Sequence, residues 1–255
     1  MDSKHQHHKR IIRVLNAMNR ALLQDTQCLF GGGTAIALQH DEFRLSNDID
    51  FICSSHDGYR KLRGLVGQFS TTGLSPLFDQ PVSQLREARA DRYGIRSVLE
   101  IDGTPIKFEI VREDRLSLDA SVTLLHGVPT ISRDDAYAEK LLANSDRWAD
   151  RSVASRDILD LAAMVNAWGD IPPKSLAKAC SAYGTTIIKD VISAANLILD
   201  NENYCQQCFD DLRIDESVQR DLLATLRGMS QSKHQPKPDG GFCDHETNGP
   251  GPSPS

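Results

Sequence analysis

The sequence contains no apolar run near the ~20 residues that a helix needs to cross a bilayer, which excludes an ordinary membrane-spanning helix. Its amino terminus, Met-Asp-Ser-Lys-His-Gln-His-His-Lys-Arg, is polar and lacks the apolar stretch of a secretory signal, so a cytoplasmic location is expected. An excess of positive charge is missing too. The 35 acids against 29 lysines and arginines give a formal charge of −6, which argues against indiscriminate binding to polyanions. Six cysteines in 255 residues lack the density of a disulfide scaffold, so reduced thiols are expected. Cys205-Gln-Gln-Cys208 has the spacing of half a zinc site, and Cys243 with His245 could supply the other half. Single matches of this kind are common and the second pair lies in a low-complexity tail, so two helix-borne thiols are the expectation. The eight histidines show no pair at metal-ligand helical spacing, and His5, His7 and His8 read as a polar terminal extension. No internal repeat is present.

What remains is an ordinary globular composition, 40% hydrophobic and 25% charged, enough for one large domain or two modest ones. Residues 11 to 24 place Ile11, Leu15, Met18 and Leu22 on one helical face. Cys28-Leu29-Phe30 runs into three glycines and then strong helix formers, which reads as strand, turn, helix. Residues 48 to 53 alternate, setting Asp48 and Asp50 on one strand face and Ile49 and Phe51 on the other. A helix is expected around Tyr59, Leu62, Val66 and Phe69, and a loop or edge segment from Gly73 to Pro81. Residues 95 to 101 and 105 to 111, separated by Asp102-Gly103, read as a hairpin in which Glu109 points away from Ile106, Phe108 and Ile110. Arginines 86, 89, 92 and 96, with Arg60, Lys61 and Arg63 before them, concentrate positive charge, and a solvated helical surface is the expectation for them.

After a β-like segment at residues 122 to 125, Ser132 and Asp135 resemble a capping box and no further strand is apparent. Helices are expected at 133 to 147, 155 to 167, 173 to 183, 186 to 200 and 216 to 228. The expected organisation is α+β: a catalytic domain with a mixed sheet over 1–130, a helical domain over 131–229 and a disordered tail over 230–255.

The chemistry-bearing residues form a two-part signature, Phe30-Gly-Gly-Gly-Thr34 and then Arg44-Leu-Ser46-Asn-Asp48-Ile-Asp50-Phe51. Glycines admit close approach of a phosphate, and the free amides of a helix start, with the Thr34 hydroxyl, can hold a triphosphate. Two carboxylates on one strand face suit a hard cation such as magnesium, and Glu109 on a neighbouring strand is placed to be the third donor and a general base. Two magnesium ions in such a site would activate an attacking hydroxyl and steady a departing pyrophosphate.

This ordered set resembles the AbiEii/AbiGii-type toxins, a branch of the polymerase-beta-like nucleotidyltransferases. The resemblance rests on Gly32-Gly33-Thr34-Ala35, Arg44-Leu-Ser46-x-Asp48-Ile-Asp50-Phe51, Lys107-Phe-Glu109, Tyr137-Ala-Glu-Lys140-Leu and Arg156-Asp157-Ile-Leu-Asp160-Leu. It implies a polymerase-beta-like fold and a nucleotide site at Gly32, Gly33, Thr34, Arg44 and Ser46. It further implies Lys140 as a phosphate contact, with Arg156, Asp157 and Asp160 lining or bracing the cleft. It also implies a toxin that adds nucleotides from a nucleoside triphosphate to the acceptor end of transfer RNA, with an antitoxin as partner and no membrane. Gly33-Thr34 replaces the commoner Gly-Ser and keeps the hydroxyl, while Glu109 stands where aspartate is usual and its longer side chain could shift a metal. The same chemistry aimed at a small molecule or a protein hydroxyl, or a non-catalytic nucleotide- or partner-binding module, are the competing expectations.

Overall fold

The computed structural model describes residues 4–67, 73–120 and 123–231. The chain opens with α1 (Lys4–Ala17) and α2 (Arg20–Asp25), followed by β1 (Cys28–Gly31), α3 (Gly32–Gln39), β2 (Ile49–Cys53) and α4 (His56–Val66). Next come β3 (Ser83–Ala90), β4 (Gly94–Ile101), β5 (Thr104–Arg112) and the small pair β6 (Leu124–Leu125) and β7 (Val128–Pro129). The rest is helical: α5 (Arg133–Arg147), α6 (Arg156–Trp168), α7 (Pro173–Tyr183), α8 (Thr186–Leu199), α9 (Glu202–Leu212) and α10 (Glu216–Gln231). The tail expected to be disordered lies, apart from residues 230 and 231 in α10, outside the described residues, as do Cys243 and His245.

The expected mixed sheet is present, in the order β1-β2-β5-β4-β3. Its β2 and β5 run parallel, with Asp50 opposite Glu109 and Phe51 opposite Ile110, while the other pairings are antiparallel. The β4–β5 hairpin turns at Asp102 and Gly103, both at positive φ (51° and 71°), as a tight two-residue turn requires.

Strand alternation divides the apolar residues between two cores. Phe30, Phe51, Ile95, Leu99, Ile106, Phe108 and Ile110 join Ile11, Leu15, Tyr59 and Leu62 on one face of the sheet. Leu29 and Ile52 point the other way and join Ile36, Ala37 and the helical half. Phe30, Phe51 and Phe108 form a row with ring centroids 5.5 and 6.0 Å apart. Each such buried ring contributes roughly 1.5–3 kcal/mol, so this row anchors the strands that carry the acids.

Several expectations change. The helix expected over 11 to 24 is two helices. The chain breaks at Met18, which bridges to Phe78, and Asn19 caps α2 by accepting the Leu22 amide at 2.9 Å. The histidine-rich start is helical, with His8 fully buried. Arg86, Arg89 and Arg96 lie on strands, not on a helical surface. The two thiols do lie on a helix, α9, where Cys205 and Cys208 are buried. At α5, Ser132 accepts the Asp135 amide at 3.1 Å, the cap that the sequence signals.

Candidate active site

A cleft of about 260 Å³ opens between the sheet and α5–α6. One wall carries Gly32, Gly33, Asp48, Asp50, Lys107 and Glu109, and the other carries Lys140, Arg147 and Arg156. A larger cavity of about 380 Å³ lies within the helical half among Leu141, Ile187, Val191 and Met229. Apart from Asp170 it is lined by no acid or base, so its size does not make it a reaction site.

Register builds the acidic wall. Gly31 pairs with Asp50 and Asp50 with Glu109, so their side-chain directions share one face of the sheet. Gly32 has a φ of +68°, and a Cβ there would lie 2.7 Å from Asp50 Oδ2, so glycine is needed both for the turn and for the carboxylate. A Cβ on Gly33 would collide with the Arg44 guanidinium.

The acids differ in their surroundings. Asp48 and Asp50 make no ion pair among the described residues. Burial, reinforced by Asp48, raises the Asp50 carboxyl to about 6. Glu109 instead lies 2.6 Å from Arg96 Nε and 2.9 Å from Lys107 Nζ. Among the described residues no three His, Cys, Asp or Glu side chains are gathered to hold a metal ion. At this cleft Glu109, the expected third donor, is paired with Arg96 and Lys107.

Behind the opposite wall is a buried ionic cluster. Arg44 makes a bidentate pair with Asp160 (2.6 and 2.9 Å), and Lys140 Nζ lies 2.7 Å from Asp160 and 2.9 Å from Asp157. Arg147 pairs with Asp157 at 2.6 Å. Burial alone would raise both aspartates. The cations outweigh it: Lys140 and Arg147 hold Asp157 low, and Arg44 and Lys140 do the same for Asp160. Three cations against two carboxylates leave one positive charge facing Asp48 and Asp50, and Arg156 adds another at the cleft surface.

Thr34, expected at the nucleotide site, and Asp157 and Asp160, expected to line or brace the cleft, sit behind the walls. Thr34 is fully buried, donating to the Asp48 carbonyl and lying 2.8 Å from Ser46 Oγ. Asp157 and Asp160 are buried against their cations. Gly32, Gly33, Arg44, Ser46, Asp48, Asp50, Glu109, Lys140 and Arg156 do line the cleft.

Residues that carry no sequence signature also meet here. His8 of α1 accepts the Ser46 amide at 3.2 Å, and burial lowers its pKa, consistent with a neutral acceptor. Glu139 lines the far end of the cleft, one of its oxygens buried without a hydrogen bond, and burial beside Glu113 raises it to about 8. Its position next to Lys140 is the one signal that could have found it.

A glycine turn at a helix start, paired strand acids and a cationic helical wall have the chemistry that nucleotide transfer calls for. The chain belongs to the family described as "Nucleotidyl transferase AbiEii toxin, Type IV TA system", whose model it matches over residues 13–239. Among solved structures it resembles a Helicobacter pylori protein described as a candidate nucleotidyltransferase. The TM-score is 0.51 at 13% identity, over 90% of this chain and 96% of that one. It is similar as well to JHP933 from Helicobacter pylori, with a TM-score of 0.50 at 14% identity over 90% and 93% of the two chains. At these identities the likeness shows the shared fold. No curated protein matches the chain.

Proposed function

We propose that this toxin-family nucleotidyltransferase moves a nucleoside monophosphate from a nucleoside triphosphate to the terminal hydroxyl of an RNA, with transfer RNA as the favoured acceptor and an antitoxin as its protein partner. The observation that carries the reading is the opposition of two walls: acids lacking cations on the sheet, and surplus cations on α5 and α6. A triphosphate lying between them would meet Lys140, Arg147 and Arg156 on one side and the amides at Gly32 and Gly33 on the other. Arg44 acts mainly by filling the space over Gly33, and Asp157 and Asp160 act by holding Lys140 and Arg147 in position.

Magnesium suits the Asp48–Asp50 pair, because hard oxygen donors crowded without a counter-ion are what a divalent cation neutralises. Asp48 and Asp50 would hold it, with Glu109 as third donor once its pairs with Arg96 and Lys107 open. When bound, the metal supplies charge neutralisation at the transferring phosphoryl group and acidifies the attacking hydroxyl; two ions are the expected complement. Glu109, opposite Asp50 in the row, is the candidate to take up the hydroxyl proton.

Incubating the protein with α-labelled nucleotides, magnesium and bulk bacterial RNA tests this directly. Label at RNA 3′ ends that disappears in Asp48→Ala and on chelation is expected. Label on protein or small molecules, with none on RNA, would sink the RNA reading while keeping the transferase. Toxicity equal to that of the parent in Asp48→Ala would point to binding without catalysis.

A further inference from the structure

The acidic row does not end at Glu109. Across the antiparallel strands Glu109 pairs with Arg96, and Arg96 pairs with Arg89 on the edge strand β3. Directly opposed residues share a face, so Arg89, Arg96, Glu109 and Asp50 form one line from the edge of the sheet to the cleft. The adjacent line runs from Arg86 through Val98 to Lys107.

Arg86 and Arg89 are three residues apart, a spacing that would set them on opposite faces of a regular strand. A register shift between them, a β-bulge, returns both to the cleft side. The opposite face of β4 is taken up by Ile95 and Leu99, which share a core with Tyr59 and Leu62 of α4. The cationic face is therefore turned away from the core. Arg86 and Arg89 are exposed and make no ion pair among the described residues. The acids near them are limited: Asp91 pairs with Arg96 at 3.4 Å, Glu87 lies within the bulged stretch, and Glu100 lies opposite Ser83 one row further from the cleft.

We propose that Arg86, Arg89 and Arg96 form a phosphate track across β3 and β4 that delivers an RNA strand, from the sheet edge, with its terminal hydroxyl at Glu109. The inference rests on the RNA-acceptor reading above and adds the surface that seats the acceptor. Guanidinium forks suit it because each can donate two parallel hydrogen bonds to one phosphate. The track also accounts for RNA binding by a chain of charge −6, since only a local cationic line need face the polyanion. A protein partner that adds a strand to the β3 edge would occupy the same place, but it would not call for unpaired arginines along one face.

The test uses the full chain, bulk bacterial tRNA as probe and the double variant Arg86→Glu/Arg89→Glu. Affinity is measured over a series of potassium chloride concentrations, alongside the KM values for tRNA and nucleoside triphosphate. The track predicts a tRNA affinity at least about tenfold weaker in the variant. The slope of log affinity against log salt should become shallower by roughly 0.7–0.9 for each phosphate that the variant no longer neutralises. The KM for tRNA rises while the KM for nucleotide and the thermal midpoint hold. Arg86→Lys/Arg89→Lys keeps most of the slope. If the parent labels tRNA and the charge-reversed protein binds and labels it equally, the track is wrong and the RNA reading stands. If the parent labels no RNA, that reading fails and the track with it. Loss of a bound protein partner with unchanged tRNA affinity would assign the edge to protein and overturn the proposal.

Discussion

Two pairs of aspartates flank the same cleft and are treated in opposite ways. On the helical side Asp157 and Asp160 are buried, each touched by two cations, and their carboxyls are held low. On the sheet side Asp48 and Asp50 have no cation in contact among the described residues, and Asp50 is pushed up to about 6. The residue type is the same, though Asp50 on the cleft wall is half-buried where Asp157 and Asp160 are buried outright. What differs is whether the fold supplies the counter-charge. Neutralised charge fixes shape, because losing one partner strands the others in low dielectric. Unneutralised charge stores a demand that a ligand can meet.

Three substitutions separate these roles, and the largest effect is expected at Asp160. Asp160→Ala leaves Arg44 and Lys140 buried with one partner fewer, which should cost about 3–5 kcal/mol in urea denaturation. A loss below about 1 kcal/mol would mean that the cluster is not structural.

Glu139→Gln should do the reverse. The folded carboxyl keeps its proton to about pH 8, whereas an unfolded glutamate releases it near the ordinary value of 4.5, so the parent loses stability as pH rises between these values. The variant should gain roughly 2–3 kcal/mol over the parent at pH 9, and the gap should close by pH 5. A gap independent of pH would show that Glu139 is not strained by its burial.

Asp50→Asn is expected to have the smallest effect on stability and a complete one on transfer. Without metal, the wild-type carboxylate is destabilising as pH rises from 3.8 through about 6, so the variant should be more stable above pH 6 by roughly 1–2 kcal/mol. Adding magnesium should raise the melting temperature of the parent and leave the variant unmoved. Equal magnesium shifts in both would remove Asp50 from the cation site.

The contrast also marks what the sequence could reveal. The acidic wall was legible because it is local: alternation in Asp48-Ile-Asp50, a turn at Asp102-Gly103 and alternation around Phe108 carry it. The counter-ions of the helical wall were not, since Arg44 meets Asp160 across 116 residues and no periodicity links them. The edge strand was hidden for a different reason. The bulge spaces Arg86 and Arg89 as a helix would, and the strand meets the core only through the small residues Ala88 and Ala90, too weak an apolar alternation to mark a strand. Helix α9 was legible only as the seat of two thiols, and its buried stripe of Tyr204, Cys205, Cys208 and Phe209 mixes polar and apolar types that blur the apolar period.

The Arg44–Asp160 pair has a temporal meaning as well. During synthesis Arg44 leaves the ribosome 116 residues ahead of its counter-ion. At ~5–20 residues per second this interval is on the order of ten seconds. For that time the strand acids exist without the helical wall that faces them, so the cleft closes only once the second half of the chain has been made.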